Sequence, residues 1–450
     1  MINLIKGKIK KEFFLIYLFV TLFCFLYYYL IFVMKIIVPD YYLCVEVVDQ
    51  KLKFLNKVYE IFYPLSCDQK NYFLGFENFN NIITTENYPY QTRSLYVLFV
   101  FITSLILKGF NSLFNLELNL LLNITNLICQ IFLITCSIYL IDKMLKKYYT
   151  YDKKTLFLIT GLVTVSPLHK WGIFTPSHQL LTLTVLILGV YILENYRDYK
   201  IINISAYMGI LYMGHRSFLL VYLIFLLMKY FFQKEREISK YIKSLLVFFV
   251  PSIIFYIYIR LLGYHPYDAA TEYWGQFIWV FYFLRGMVKS VGEWYCQTIP
   301  ENFSCYFRDS LNTIKYLLTP LIFIILKQIF DKFLYKKNQN NLVFYTIIFS
   351  FVMFAFYSLI GWYPPLRFNL YSIGNCLVFI SCIQVIENTK LYEKILYSGS
   401  IFLYFVNLNH WNYPEVVMFN RSIYVVVFMM VSYFLVNFMN NKEIIEKNKS

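Results

Sequence analysis

Apolar runs recur along the whole chain, separated by short polar breaks. About 20 apolar residues in helical form cross a bilayer. Backbone N–H and C=O groups find no partner in lipid, so such runs must be helical. The first run covers 13–38, and residues 39–94 follow it, with the longest polar interruption of the first half at Tyr63 to Leu95. Apolar runs resume at 95–110 and 118–141. They continue at 155–168, 177–194, 201–214, 217–233, 244–262, 314–331, 342–360, 369–386, 395–408 and 423–439. The pattern predicts an all-α fold, a polytopic transmembrane helix bundle of about 12 spans forming a single membrane domain over 1–450. The short pair 201–214 and 217–233 reads as a helical hairpin whose tip, Gly214-His215-Arg216, stops inside the outer leaflet.

Lysine placement orients these spans. Lys6, Lys8, Lys10 and Lys11 precede the first run and put the N-terminus in the cytoplasm. The segment 142–154 carries five lysines. If 95–110 and 118–141 both crossed, that cluster would lie outside. The positive-inside rule therefore makes 95–110 a short interfacial helix, ended by Gly109. Residues 39–117 become a first periplasmic loop containing that helix, and 263–312 a long periplasmic loop. Both termini are expected in the cytoplasm, with the bacterial inner membrane as the location.

Composition narrows the classes further. Charged residues are 15% of the chain against 59% apolar, which excludes an ordinary soluble domain. The net charge of +15 sits in short lysine clusters between spans and forms no single basic face, so no nucleic-acid partner is expected. No Cys or His spacing suggests a metal. Cys24, Cys129, Cys136, Cys376 and Cys382 fall in or near spans. Cys296 and Cys305 share the long loop and are expected to pair.

The candidate chemistry gathers on the periplasmic side. Asp68, in Asp68-Gln69-Lys70-Asn71-Tyr72, is a candidate general base, with Asp40, Glu46 and Asp49 as competitors. Arg216 at the hairpin tip, Arg367 after Pro364-Pro365, and the His169-Lys170 pair lie at outer span ends, where a lipid phosphate sits; His215 and Arg93 join them. Cations there stabilise a phosphate leaving group. Arg216 beside an apolar run also suits plain snorkelling to headgroups.

These phrases carry a likeness. Asp68-Gln69-Lys70-Asn71-Tyr72 follows a first span; Tyr88-Pro89-Tyr90, then Arg93-Ser94-Leu95, follow about twenty residues later. Thr175-Pro-Ser-His-Gln-Leu and Arg367-Phe-Asn-Leu come further on. Together they resemble the GT-C superfamily of polyprenyl-phosphate-sugar-dependent glycosyltransferases, fairly over 1–235 and loosely beyond. The acid here is a single Asp rather than a pair. The resemblance implies an inverting enzyme with the catalytic acid, Asp68, in the first outer loop. It implies a polyprenyl-phosphate sugar as donor, a glycan or lipid as acceptor, and membrane lipids as surroundings, with no certain cofactor.

The nearest rival is an O-antigen or exopolysaccharide polymerase, in which Arg285 and Arg308 of the long loop would be central. The rival from another class is a transporter or flippase. That class needs mid-membrane ionisable groups and, usually, internal repeats; the spans are nearly free of charge in their centres and the sequence displays no repeat.

Overall fold

The computed structural model describes residues 11–29, 45–54, 57–66, 69–86, 88–114, 116–164, 173–174, 181–195, 201–216, 218–232, 237–268, 341–359, 375–376, 378–383 and 385–387. The helices are α1 (Lys11–Tyr28), α2 (Gln69–Glu77), α3 (Asn80–Thr84), α4 (Ser94–Phe114), α5 (Leu118–Leu145), α6 (Lys153–Thr164) and α7 (Leu181–Asn195). They continue as α8 (Ile201–Tyr212), α9 (Phe218–Phe232), α10 (Ile238–Leu261) and α11 (Asn341–Leu359). Among the described residues, four stretches are long and apolar enough to cross a membrane: Lys11–Tyr28, Pro89–Asn111, Leu118–Leu145 and Ile238–Leu261.

Surface chemistry agrees with a membrane protein. On α1, Ile16, Val20, Cys24 and Tyr27 share one face and are buried, while Phe14, Leu18, Leu22 and Phe25 stand exposed. On α10, Leu246, Val250, Ile254, Ile257 and Leu261 are exposed. Apolar surface of this extent is unstable against water and ordinary against lipid chains. Hydroxyls inside α5 bond back into their own helix. Thr125 Oγ1 donates to the Leu121 carbonyl at 2.7 Å, and Thr135 Oγ1 to that of Ile131 at 2.7 Å, so neither is left unsatisfied.

The start of α1 meets the end of α5. Glu12 lies 3.4 Å from Lys146 Nζ and 3.9 Å from Lys143 Nζ. Phe13 packs edge-on against Tyr139, with ring centroids 5.4 Å apart. Asp142, fully enclosed, takes Lys146 at 3.0 Å and accepts a 2.7 Å bond from the Tyr151 hydroxyl. Burial first, then the Asp142 carboxylate, holds the Tyr151 phenol far above its ordinary range. The lysine segment 142–154 thus shares an end of the bundle with the start of the first span.

Two expectations are corrected. Gly109 does not end the helix that was expected to be short and interfacial. α4 runs unbroken for 21 residues from Ser94 to Phe114, about 31 Å at 1.5 Å per residue. One glycine costs a helix only about 1 kcal/mol, and polar ties flank it: Lys108 Nζ donates to the Glu77 carbonyl at 3.0 Å, and Asn111 bonds the Leu116 backbone at 2.9 and 3.1 Å. Near the middle of α5, Phe99 of α4 packs on Phe132 at 5.8 Å, and the Cys129 thiol donates to Thr103 Oγ1 at 3.4 Å.

The first loop also holds strands. β1 (Val45–Phe54) and β2 (Lys57–Ser66) pair antiparallel, from Val45 opposite Ser66 to Phe54 opposite Lys57. Glu46 and Asp49, competitors for the base, take ladder positions opposite Leu65 and Phe62. Apart from this hairpin, the described regular structure is helical.

The apolar interior divides in two. The larger core joins α1, the second half of α5, and α6 to α9 with α11. The smaller one joins α2, α3 and the start of α4 to the first half of α5, and is rich in tyrosine: Tyr72, Tyr88, Tyr90 and Tyr96 are all buried.

Candidate functional site

The site begins at a single 3-10 turn, Pro89–Arg93, with Pro89 in the first position, where its missing N–H costs nothing. The turn packs on α2 through the tyrosines. Tyr72 and Tyr90 lie 4.2 Å apart by ring centroids, and Tyr88 and Tyr90 5.3 Å. Arg93 stands over the Tyr90 ring at 5.2 Å and donates to the Tyr72 hydroxyl at 3.3 Å. Below them the Tyr96 hydroxyl donates to Asn126 Oδ1 at 2.7 Å and accepts from Gln130 Nε2 at 2.7 Å.

The tip of the α8–α9 hairpin closes against this turn. The Leu95 amide donates to the Met213 carbonyl at 3.1 Å. The tip winds through successive bonds, His215 N to Leu211 O at 3.1 Å and Phe218 N to His215 O at 3.1 Å. α8 has 12 residues, about 18 Å, too short to cross a hydrocarbon core of about 30 Å. His215 is buried. Burial first, then the Arg93 and Arg216 guanidiniums, pushes its imidazole down to about 3, so it is neutral between two cations.

α10 supplies the third wall. Gly209 of α8 lies against the Phe248 backbone carbonyl, where any side chain would collide, and this approach lets the two helices run together. Above it the Tyr212 and Phe248 rings are 5.4 Å apart. α10 then continues past the hairpin tip. A cavity of about 630 Å³ lies between the tip, the 3-10 turn, the upper half of α10 and the segment after it. Its charged lining residues are Arg216, Arg260 and Asp268, with His265 beside them. The apolar lining includes Phe249, Ile253, Phe255 and Tyr256. The α10 part of the wall, Phe249 to Arg260, rises about 16 Å, so the cavity is a recess below the end of a long apolar helix.

Of the residues singled out from sequence, the structure brings Arg93, His215 and Arg216 together. Arg216 lines the cavity, His215 is buried behind it, and the described contacts of Arg93 are with tyrosines. Asp68, His169, Lys170 and Arg367 lie outside the described residues, as do Asp40, Arg285, Arg308 and the Cys296–Cys305 pair. Tyr72, four residues after Asp68 in the chain, is the partner of Arg93. Among the described residues no cluster of three or more His, Cys, Asp or Glu forms a metal site.

Sequence reasoning missed Gln91, Arg260 and Asp268. Arg260 had a usable signal: it falls inside the predicted run 244–262, and a charge within a span is a functional candidate on that ground alone. Asp268 and Gln91 had none, because only folding brings their segments to one cavity. No protein-family model matches the chain, and no curated protein or solved structure does either.

Proposed function

We propose that the chain is an integral-membrane glycosyltransferase. It moves a sugar, with inversion, from a polyprenyl-phosphate donor to an envelope glycan or lipid acceptor. The observation that carries this reading is the recess itself. Two arginines, 216 and 260, share it with a carboxylate and with apolar side chains of a helix whose neighbouring face is exposed. A phosphate head with a hydrocarbon tail has that same polarity, and sugar hydroxyls suit the carboxylate and His265.

In this reading Asp68 takes the proton of the acceptor hydroxyl. The freed oxygen attacks the anomeric carbon, and the bond from that carbon to the phosphate oxygen breaks on the opposite side. Polyprenyl phosphate leaves carrying the new negative charge, which Arg216 and Arg260 stabilise. In the same reading His169, Lys170 and Arg367, outside the described residues, are further phosphate-binding candidates, and Arg93 braces the turn behind the recess. The bundle has about twelve spans, lies in a bacterial inner membrane and has both termini in the cytoplasm. α4 lies at or dips into the outer interface, with both its ends on the outer side. The shared end of α1 and α5 supports that path.

The polymerase reading has one observation of its own: residues 265–268, which open the long loop, line the cavity. Product length separates the two. The test uses the full chain in lipid nanodiscs, supplied with a polyprenyl-phosphate hexose. Asp68→Asn should lose about 10²–10⁴-fold in turnover and still bind the donor. Full activity in that variant ends the proposal, and a ladder of products instead of single additions favours the polymerase.

A further inference from the structure

The wall that carries Asp268 is tied to a distant part of the chain through the Gln91 side chain. α10 ends in a left-handed Gly263, φ +85°. The Gly263 amide donates to the Arg260 carbonyl at 3.0 Å and the Tyr264 amide to that of Ile259 at 3.2 Å. These two bonds with a left-handed glycine form a Schellman cap, which stops a helix and reverses the chain. Nothing lies near the Gly263 Cα, so the glycine serves the backbone angle alone. The next residues, 264–268, form a strap at the cavity.

The strap is bonded to the 3-10 turn through Tyr267. The Tyr267 amide donates to Gln91 Oε1 at 2.6 Å. Gln91 is only 2% exposed. Its amide nitrogen donates to the Ile82 carbonyl at 2.9 Å and to that of Thr85 at 3.3 Å. With both carbonyls facing the nitrogen, the oxygen must face the strap; the flipped amide would oppose like groups on both sides. Gln91 therefore couples the α3 scaffold to the strap.

We infer that Gln91 is a positioning residue: it fixes the strap, and with it the Asp268 carboxylate, over the cavity beside Arg216 and Arg260. Asp268 there accepts hydrogen bonds from the hydroxyl groups of the sugar or acceptor and repels phosphate, so the phosphate turns toward the arginines. Asp268's task rests on the glycosyltransferase reading; the holding of the strap does not.

The test joins hydrogen exchange with kinetics on the full chain in lipid nanodiscs. Gln91→Leu removes the acceptor for Tyr267. Gly263→Ala disturbs the strap independently, through the backbone angle. Both should speed exchange of the 264–268 amides, by about tenfold for the loss of one such bond, with α5 amides unchanged. With a polyprenyl-phosphate hexose, Gln91→Leu and Asp268→Asn should lower sugar release to a similar degree. The double variant should be no worse than Asp268→Asn alone, which a general loss of structure would not produce. Unchanged strap exchange in both single variants overturns the positioning role, whatever the chemistry. Additive losses in the double variant overturn the link to Asp268. An active Asp68→Asn enzyme sinks the assigned base and leaves the exchange result standing.

Discussion

The end of the bundle where α5 stops and the recess at the hairpin tip are both rich in charge, and they use it in opposite ways. At the α5 end, cations and acids meet one another: Asp142 holds Lys146 and Tyr151, and Glu12 sits by Lys143 and Lys146. At the recess, Arg216 and Arg260 face a cavity, the buried histidine between Arg93 and Arg216 is kept neutral, and Arg260 makes no ion pair among the described residues. A network whose charges are met internally adds rigidity. Arg216, Arg260 and Asp268 line a cavity, where their charges are within reach of what enters it.

Substitutions should separate the two ends. The largest effect is expected at Asp142, which is fully enclosed. Asp142→Ala removes the close acceptor of the Tyr151 hydroxyl and leaves Lys146 with Glu12 alone among the described acids, and should cost about 2–4 kcal/mol. Thermal unfolding in nanodiscs reads this as a large drop in melting temperature, with turnover per folded molecule kept. Lost turnover at unchanged stability would erase the distinction between the ends.

Next come the recess arginines. Arg260→Ala should weaken donor binding about tenfold, as removal of one charge-assisted contact does, and leave the melting temperature where it was. Arg216→Ala should match it in binding. Titration with a polyprenyl-phosphate hexose checks both; equal affinity in wild type and variants would place the phosphate elsewhere.

An effect of similar size per pH unit is expected from acid. The His215 imidazole has a folded pKa far below its ordinary value, falling to about 3 from 6.5. Above pH 6.5 the folded and unfolded forms are both neutral at this residue, and it contributes no slope. As pH falls below 6.5 the unfolded chain takes up a proton that the fold refuses. Stability then declines, by at most about 1.4 kcal/mol per pH unit, until the folded group titrates near 3. His215→Gln should flatten that decline in melting curves taken from pH 7 to 4. An identical slope in the variant would mean the histidine is not held neutral. The smallest effect belongs to Lys143, partly exposed and 3.9 Å from Glu12. Lys143→Gln should change stability by less than about 0.5 kcal/mol, because water screens such a pair.

How much was legible beforehand follows from the physics of each element. The hairpin 201–214 and 217–233 was readable because two short apolar runs meet at Gly214-His215-Arg216, and α8 and α9 match them closely. The β1–β2 ribbon went unread. Its alternation, Val-Glu-Val-Val-Asp-Gln-Lys-Leu-Lys-Phe, is imperfect, and a polar stretch between spans invites the reading of loop. α4 was cut short at Gly109 because a glycine looks like a stop until the contacts that flank it are known.

Apolar length alone determined that this chain belongs in a membrane and that its body is helical, since lipid offers backbone groups no other partners. Lysine clustering anticipated that 142–154 and the start of the first span share one end, as the Glu12 contacts with Lys143 and Lys146 show. Which helices stand side by side was left to the tertiary structure. A helix such as α1, apolar all round, carries little pattern that names a neighbour. Only packing set Gly209 against Phe248 and put Arg216 and Arg260 in one recess. Only packing placed the Gln91 side chain under the Tyr267 amide, 176 positions away, and no local period encodes a contact of that range.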